Sequence, residues 1–159
     1  MPTSAPRHPS LSQERTLEKT VSNEISKIMH LNPKAIHSEM DMLPHIRAGL
    51  SFKKLTDICH ELKLTQQDLS RSLGLNTRTL ARRKKEQKLD TQESDRLYRL
   101  VSIYALAIVV LENKDFALNW LSTPKTLLGG EIPLSLLDTE VGSREVEKLL
   151  NRIEHGIYS

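Results

Sequence analysis

Residues 70–88 read SRSLGLNTRTLARRKKEQK. Gly74 stands alone between two helix-like runs, and Arg82, Arg83, Lys84 and Lys85 then follow one another without a break. Two short helices joined by a turn of three or four residues make a helix-turn-helix. The turn needs one residue that enters the left-handed region cheaply, and glycine does so because it has no Cβ. Gly74 fits that role. Leu69, Leu73, Leu75 and Leu80 are spaced to hold the two helices at a fixed angle. Thr65 is placed to cap the first helix, with Asp68 three residues on in a near capping box. Asn76 is placed to cap the second.

The charge around this turn is local. From Lys63 to Lys88, eight basic residues stand against two acidic ones, an excess of +6 in a chain whose net charge is only +3. A confined basic segment is expected of a polyanion-binding module joined to something neutral or acidic. Asn76, Thr77 and Arg78 hold the N-terminal positions that reach base edges when such a helix enters a major groove, and Arg82 lies one turn further on that face. Arg can grip guanine bidentately, and Asn can do the same for adenine. Arg71, Lys84 and Lys85, with Lys88, are placed to meet phosphates, which fix register without reading sequence. A helical hairpin with a merely solvated basic face would carry the same run of charge. The spacing resembles the helix-turn-helix of the Xre and lambda-repressor-like families. Two positions depart from that pattern: Ser70 stands where a small apolar residue is common, and Arg83 where a last apolar contact is usual.

The bulk composition frames these signals. A chain of 159 residues suits one domain, or two small ones with a tail. Hydrophobic content of 38% and charged content of 27% are ordinary for a globular protein, and 4% aromatics require an aliphatic core. The single cysteine, Cys59, excludes an internal disulfide and a cysteine zinc site. Residues 1–12, with Pro2, Pro6 and Pro9 among Ser and Thr, are expected to be disordered and contain no signal-peptide run. The longest apolar segment, Val101 to Leu111, has 11 residues. About 20 are needed to span a bilayer. A cytoplasmic protein with no membrane association is expected.

Outward from the turn, every signal is helical. Leu17, Val21, Ile25, Ile28 and Met29 predict an amphipathic helix over 13–30, and 33–49 reads as a loop or short helix. Phe52, Leu55, Ile58, Cys59 and Leu62 mark one buried helix face. Thr91 to Leu111 reads as a long helix, polar first and then apolar nearly all round, so it is either central or shared with a second subunit. A short helix through Trp120 and Leu121 ends at Pro124, Gly129-Gly130 is a turn, and Pro133 opens another short helix. Ser143 is expected to cap a last helix, striped by Val146, Leu149, Leu150 and Ile153 and ended by Gly156. With no strand alternation the fold class is all-α. The expected division is a tail (1–12), an N-terminal helical segment (13–50), a helix-turn-helix DNA-binding domain (51–90) and a small helical domain (91–159).

The C-terminal third carries a second pattern: Trp120-Leu121, Pro124, Leu128-Gly129, Pro133 with Leu136-Leu137, Thr139, Gly142, and Arg152-Ile153-Glu154-His155-Gly156. In that order these elements closely resemble the antitoxin/ParS-like toxin-binding domain. With the helix-turn-helix ahead of it, the chain resembles the Xre antitoxin of a RES–Xre toxin–antitoxin pair. The resemblance implies an operator-binding homodimer that represses its own operon. It also implies a larger hetero-oligomer with a RES-type toxin that degrades NAD, whose active site the C-terminal region obstructs. The positions expected to bind that toxin are Arg144, Lys148, Arg152, Glu154, His155, Gly156, Ile157, Tyr158 and Ser159. Of these, Arg144, Lys148 and Arg152 recur every four residues, a cationic row that could equally be an ordinary solvated face. Tyr158 is an aromatic on a free end that suits insertion into a pocket. Trp120 reads first as a core ring. The alternative function is a stand-alone helix-turn-helix repressor whose C-terminal part only dimerises.

No catalytic constellation is visible. The six histidines lack metal-ligand spacing, Gly129-Gly130 is followed by no Lys-Ser or Lys-Thr, and no nucleophile–base pair can be named. No catalysis and no cofactor are expected.

Overall fold

The all-round apolarity of Val101–Leu111 decides the architecture. A computed structural model of the chain describes residues 10–32, 34 and 36–156. In it the long helix, Thr91–Leu111 (α6, numbering the α-helices in chain order), is the central element. Leu97, Leu100, Val101, Ile103, Tyr104, Ala105, Leu106 and Ala107 are all buried. Its start is fixed by a reciprocal cap. Asp90 Oδ1 accepts the Glu93 N–H at 2.8 Å, and the Glu93 carboxylate accepts the Asp90 N–H at 2.9 Å.

Four helices pack on α6: α1 (Leu11–Ile28), α2 (Leu43–Ala48), α7 (Lys114–Ser122) and α8 (Glu140–Glu154). The N-terminal segment is thus part of the body. Ile25, Ile28 and Met29 of its inner face are buried. Lys54 reaches from the next domain element to cap it, its Nζ donating to the carbonyls of Met29 and His30. Burial lowers the pKa of that ammonium.

The helix-turn-helix forms as its caps require. It follows α3 (Phe52–Glu61) and comprises α4 (Gln66–Ser72) and α5 (Thr77–Glu86). Thr65 Oγ1 accepts the Asp68 N–H at 3.0 Å, and Asn76 Oδ1 accepts the Thr79 N–H at 2.8 Å. Gly74 sits at φ +65°, and Leu75 plugs the turn as a buried side chain. Ser70 is buried, and its hydroxyl donates to the Gln67 carbonyl at 2.8 Å, so the polar group is satisfied within its own helix.

After α7 the chain makes two 3₁₀ turns, Thr126–Leu128 and Pro133–Leu136, and enters α8. Here the structure corrects the reading. The cap is Thr139, whose Oγ1 accepts the Gly142 N–H at 3.0 Å, and α8 therefore begins ahead of Ser143. Ser143 lies inside the first turn and donates back to the Thr139 carbonyl at 2.9 Å. Both residues are good caps, and only the close approach of the Pro133–Leu136 turn to Gly142 selects between them.

Among the described residues there are eight α-helices and no strand, with one isolated antiparallel bridge between Ser51 and Lys88. One apolar cluster runs from Ile25 to Leu150. No helix among the described residues is long and apolar enough to cross a membrane. Residues 1–9, most of the segment expected to be disordered, lie outside the described residues.

Candidate functional site

Two exposed surfaces gather the candidate residues. The first is the outer face of α5. None of its ten residues is buried. Thr77, Arg78, Arg82, Lys84 and Lys85 are all exposed, which is what a helix lying in a groove requires. Asn76 is constrained, because its Oδ1 is already engaged in the cap. A bidentate grip on adenine would need that oxygen, which keeps a second lone pair but is held in the orientation the cap requires. Arg71, on α4, is exposed and pairs with Asp68 at 3.3 Å.

Arg83 behaves unlike its neighbours. Its guanidinium turns away from solvent, with 14% of the side chain exposed, and bonds three carboxylates. Nε donates to Glu93 at 2.6 Å, Nη1 to Glu86 at 2.6 Å and Nη2 to Asp90 at 2.8 Å. The hydrogen bonds to Glu93 and then Glu86 push its pKa above the ordinary arginine value. Glu93 itself is buried. Neither Asp90 nor Glu93 stands out in the sequence, and both also form the capping box that opens α6. A second arginine of α6, Arg96, donates from Nη1 to the Leu73 carbonyl at 3.1 Å, closing the C-terminal end of α4 beside the turn.

The second surface lies where α8 passes α7 and the Thr126–Leu128 turn. Trp120, Lys125, Thr126, Leu127, Leu149, Arg152 and Ile153 line a groove of about 290 Å³. Trp120 serves both sides: half-buried, it packs against the core while one face lines the groove. Lys125 Nζ lies 5.1 Å from the centre of that ring, and burial lowers its pKa. Leu127 is 62% exposed at the groove edge.

The cationic row resolves into unlike members. Arg144 pairs with Glu140 at 3.0 Å and Lys148 with Glu145 at 2.7 Å, both on their own helix and both exposed. The Lys148 hydrogen bond holds the Glu145 carboxyl below its ordinary value. Exposed pairs of this kind contribute little, so both cations stay available to a partner. Among the described residues Arg152 forms no ion pair, and it alone of the three lines the groove. Glu154, His155 and Gly156 follow it as exposed residues. Ile157, Tyr158 and Ser159 lie outside the described residues. Among the described residues no three His, Cys, Asp or Glu side chains converge as a metal site would require.

Comparison with known proteins divides the chain in the same way. Residues 41–102 match the antitoxin Xre-like helix-turn-helix domain, and residues 105–156 match the antitoxin Xre/MbcA/ParS C-terminal toxin-binding domain. Among curated relatives, an antitoxin Xre of Yersinia enterocolitica is 32% identical over 120 residues, covering 74% of this chain and 81% of the relative. An antitoxin Xre of Photorhabdus laumondii is 34% identical over 122 residues, 73% and 82% of the two chains. A Prs ADP-ribosylating antitoxin of a Sphingobium strain is 26% identical over 132 residues, 77% and 83%.

Proposed function

The chain belongs to the Xre antitoxin family, and on that premise we propose that it neutralises a RES-type, NAD-degrading toxin and represses its own operon. It is an antitoxin of a toxin–antitoxin system, built from a helix-turn-helix domain and a toxin-binding domain, and neither domain is catalytic.

The observation that carries the finer reading is the end of α8. Arg152 and Ile153 line a groove with Trp120 and the exposed Leu127, inside the segment that matches a toxin-binding domain. Tryptophan and arginine are the residue types that most often carry the binding energy of a protein interface, and the exposed leucine at the edge adds apolar surface beside them. In the proposed mechanism this surface, with Arg144 and Lys148 beside it, docks on the toxin. Gly156, at φ +63°, ends the helix there. Ile157, Tyr158 and Ser159 continue from that point, and they enter the toxin's NAD site with Tyr158 as the aromatic that fills it. Thr77, Arg78 and Arg82 read operator bases while Arg71, Lys84 and Lys85 meet phosphates. A homodimer presents two such readers to one operator, and with toxin it forms a larger cytoplasmic hetero-oligomer.

The test is co-expression with the product of the adjacent gene, following cell growth, cellular NAD and co-purification. The full chain should restore growth, preserve NAD and co-purify. A chain lacking Ile157–Ser159 should fold but protect less well. Full protection by the truncated chain would refute tail insertion. A toxic neighbour that is neutralised yet leaves NAD untouched would refute the RES assignment while leaving the antitoxin role intact.

A further inference from the structure

The helix assigned to reading DNA has very little apolar attachment to the rest of the molecule. No side chain of α5 is buried, and Leu80, half-buried, is its one residue packed against the core. Leu80 lies in the first half of the helix. The C-terminal half carries Arg82, Lys84 and Lys85, all exposed and mutually repulsive. Beyond it the chain reverses at Gln87, φ +59°. Backbone bonds then fasten the link to the start of α3: the Phe52 N–H donates to the Gln87 carbonyl at 3.0 Å and the Leu89 N–H to the Leu50 carbonyl at 2.9 Å. Those bonds fix the strand-like link but not the roll and tilt of α5.

Arg83 supplies that hold. It spans from α5 to the N-terminus of α6, where the Glu93 carboxylate is buried and already oriented by the Asp90 N–H. The Glu93 partner is buried, the bonds are charge-assisted, and the planar guanidinium reaches Glu93 and Asp90 across the break while a third bond to Glu86 stays within α5.

We infer that Arg83 is a positioning residue for DNA recognition, locking α5 to α6 through Asp90 and Glu93 so that Thr77, Arg78 and Arg82 are presented at a fixed angle, and that Arg83 itself does not touch DNA. The inference rests on the DNA-binding reading above. It departs from what the sequence suggests, since Arg83 sits among four consecutive basic residues that all look like phosphate contacts.

The two roles make opposite demands on Glu93. If Arg83 met phosphates, neutralising Glu93 would release the guanidinium and tighten binding. If Arg83 positions α5, the same change loosens the helix and weakens binding. Glu93→Gln is a mild change, because glutamine at this position keeps the capping box of α6.

The experiment uses the full chain and a duplex carrying the promoter region upstream of its own gene, with affinity measured across a salt series. Glu93→Gln and Arg83→Met should each weaken binding about tenfold, the loss expected if α5 stays docked about one-tenth of the time. The salt slope should not change, because no phosphate contact is removed. Lys84→Ala, as the comparison, should lower that slope by about one. The double variant should bind no more weakly than Arg83→Met, since both changes open the same clasp. Tighter binding by Glu93→Gln, or a slope lowered by about one in Arg83→Met, would overturn the inference. A parent chain that does not bind the duplex even at low salt would overturn the DNA-binding reading, and this inference with it.

Discussion

Gly142→Ala should destabilise the protein, although alanine for glycine inside a helix normally does the opposite. Gly142 lies in the first turn of α8. In an open helix the exchange would gain up to about 1 kcal/mol of helix propensity. Here the new methyl would press into the Leu136 carbonyl oxygen, and it would stand 2.9 Å from both the Leu136 carbonyl carbon and Thr139 Oγ1. Two of those three atoms are backbone, belonging to the 3₁₀ turn that leads into the helix, so neither can swing aside as a flexible side chain would. Over-packing of this kind costs about 1–3 kcal/mol. Displacing Thr139 also weakens the cap it provides to the Gly142 N–H, worth about 1 kcal/mol. The net effect should be a loss of about 1–3 kcal/mol. For a chain of this length, at about 2–4 °C per kcal/mol, that lowers Tm by about 2–12 °C, measurable by calorimetry or urea unfolding. Because α8 must shift away from the Pro133–Leu136 turn, affinity for the toxin should fall as well. A Gly142→Ala protein as stable as the parent would show that α8 does not approach that turn as described.

Arg78→Ala should lower affinity for the operator by about 1–3 kcal/mol if the side chain reaches a base edge. Unchanged affinity at matched salt would remove Arg78 from the reading face. Stability should also fall in alkali. Burial raises the Cys59 thiol from its ordinary 9.0 to about 11 and the Tyr104 hydroxyl from 10.0 to about 12. In each case the unfolded chain ionises first and the folded one last, so stability is complete below the ordinary pKa and is lost as pH rises through the folded value. The two-unit gap corresponds to an upper bound of about 2.7 kcal/mol per group. Urea unfolding that stayed flat up to about pH 11 would contradict the burial of both groups.

How far the sequence could be read follows from where each signal lives. The helix-turn-helix was legible because its determinants are local: Thr65, Asn76 and Gly74 act through the backbone within three residues, and the structure shows both caps and the positive φ. The span of α6 was legible because its apolar run requires burial, whereas the Asp90–Glu93 pair that opens it was seen only in the structure. The start of α8 was misplaced because two competent caps, Thr139 and Ser143, stand one turn apart, and only tertiary contact decides between them. The role of 13–50 was opaque. An amphipathic stripe states that a face is buried, not what buries it, and the answer lies on α6 and in a lysine from α3. Arg83 was hidden because two of its three partners, Asp90 and Glu93, lie beyond a helix break. Only the left-handed reversal at Gln87 brings Asp90 and Glu93 back alongside α5. Of the candidate toxin-binding residues, the four-residue spacing grouped Arg152 with Arg144 and Lys148, whereas the fold sets Arg152 apart by placing Trp120 and Lys125 across from it.

The two matched segments meet inside a single helix, and this constrains how the two functions relate. The helix-turn-helix match ends at residue 102 and the toxin-binding match begins at 105, both within Thr91–Leu111. The first turns of α6 hold the helix-turn-helix part: Glu93 binds Arg83, the Ser94 hydroxyl accepts the Leu50 N–H at 2.8 Å, and Arg96 donates to Leu73. Its length is buried against α7 and α8, which carry the groove. A helix of this length is about 30 Å long, and its middle turns are held by apolar side chains packed around them. Coupling between distant sites needs an element with two arrangements of similar energy. A helix whose central turns, Leu97 to Ala107, are packed into the core is not such an element. It sets the distance and angle between the exposed face of α5 and the groove beside Trp120, so under the proposed function any influence of toxin on DNA binding would come from the Arg83 clasp of α5 or from the placement of the bound toxin beside the duplex, and not from bending of α6.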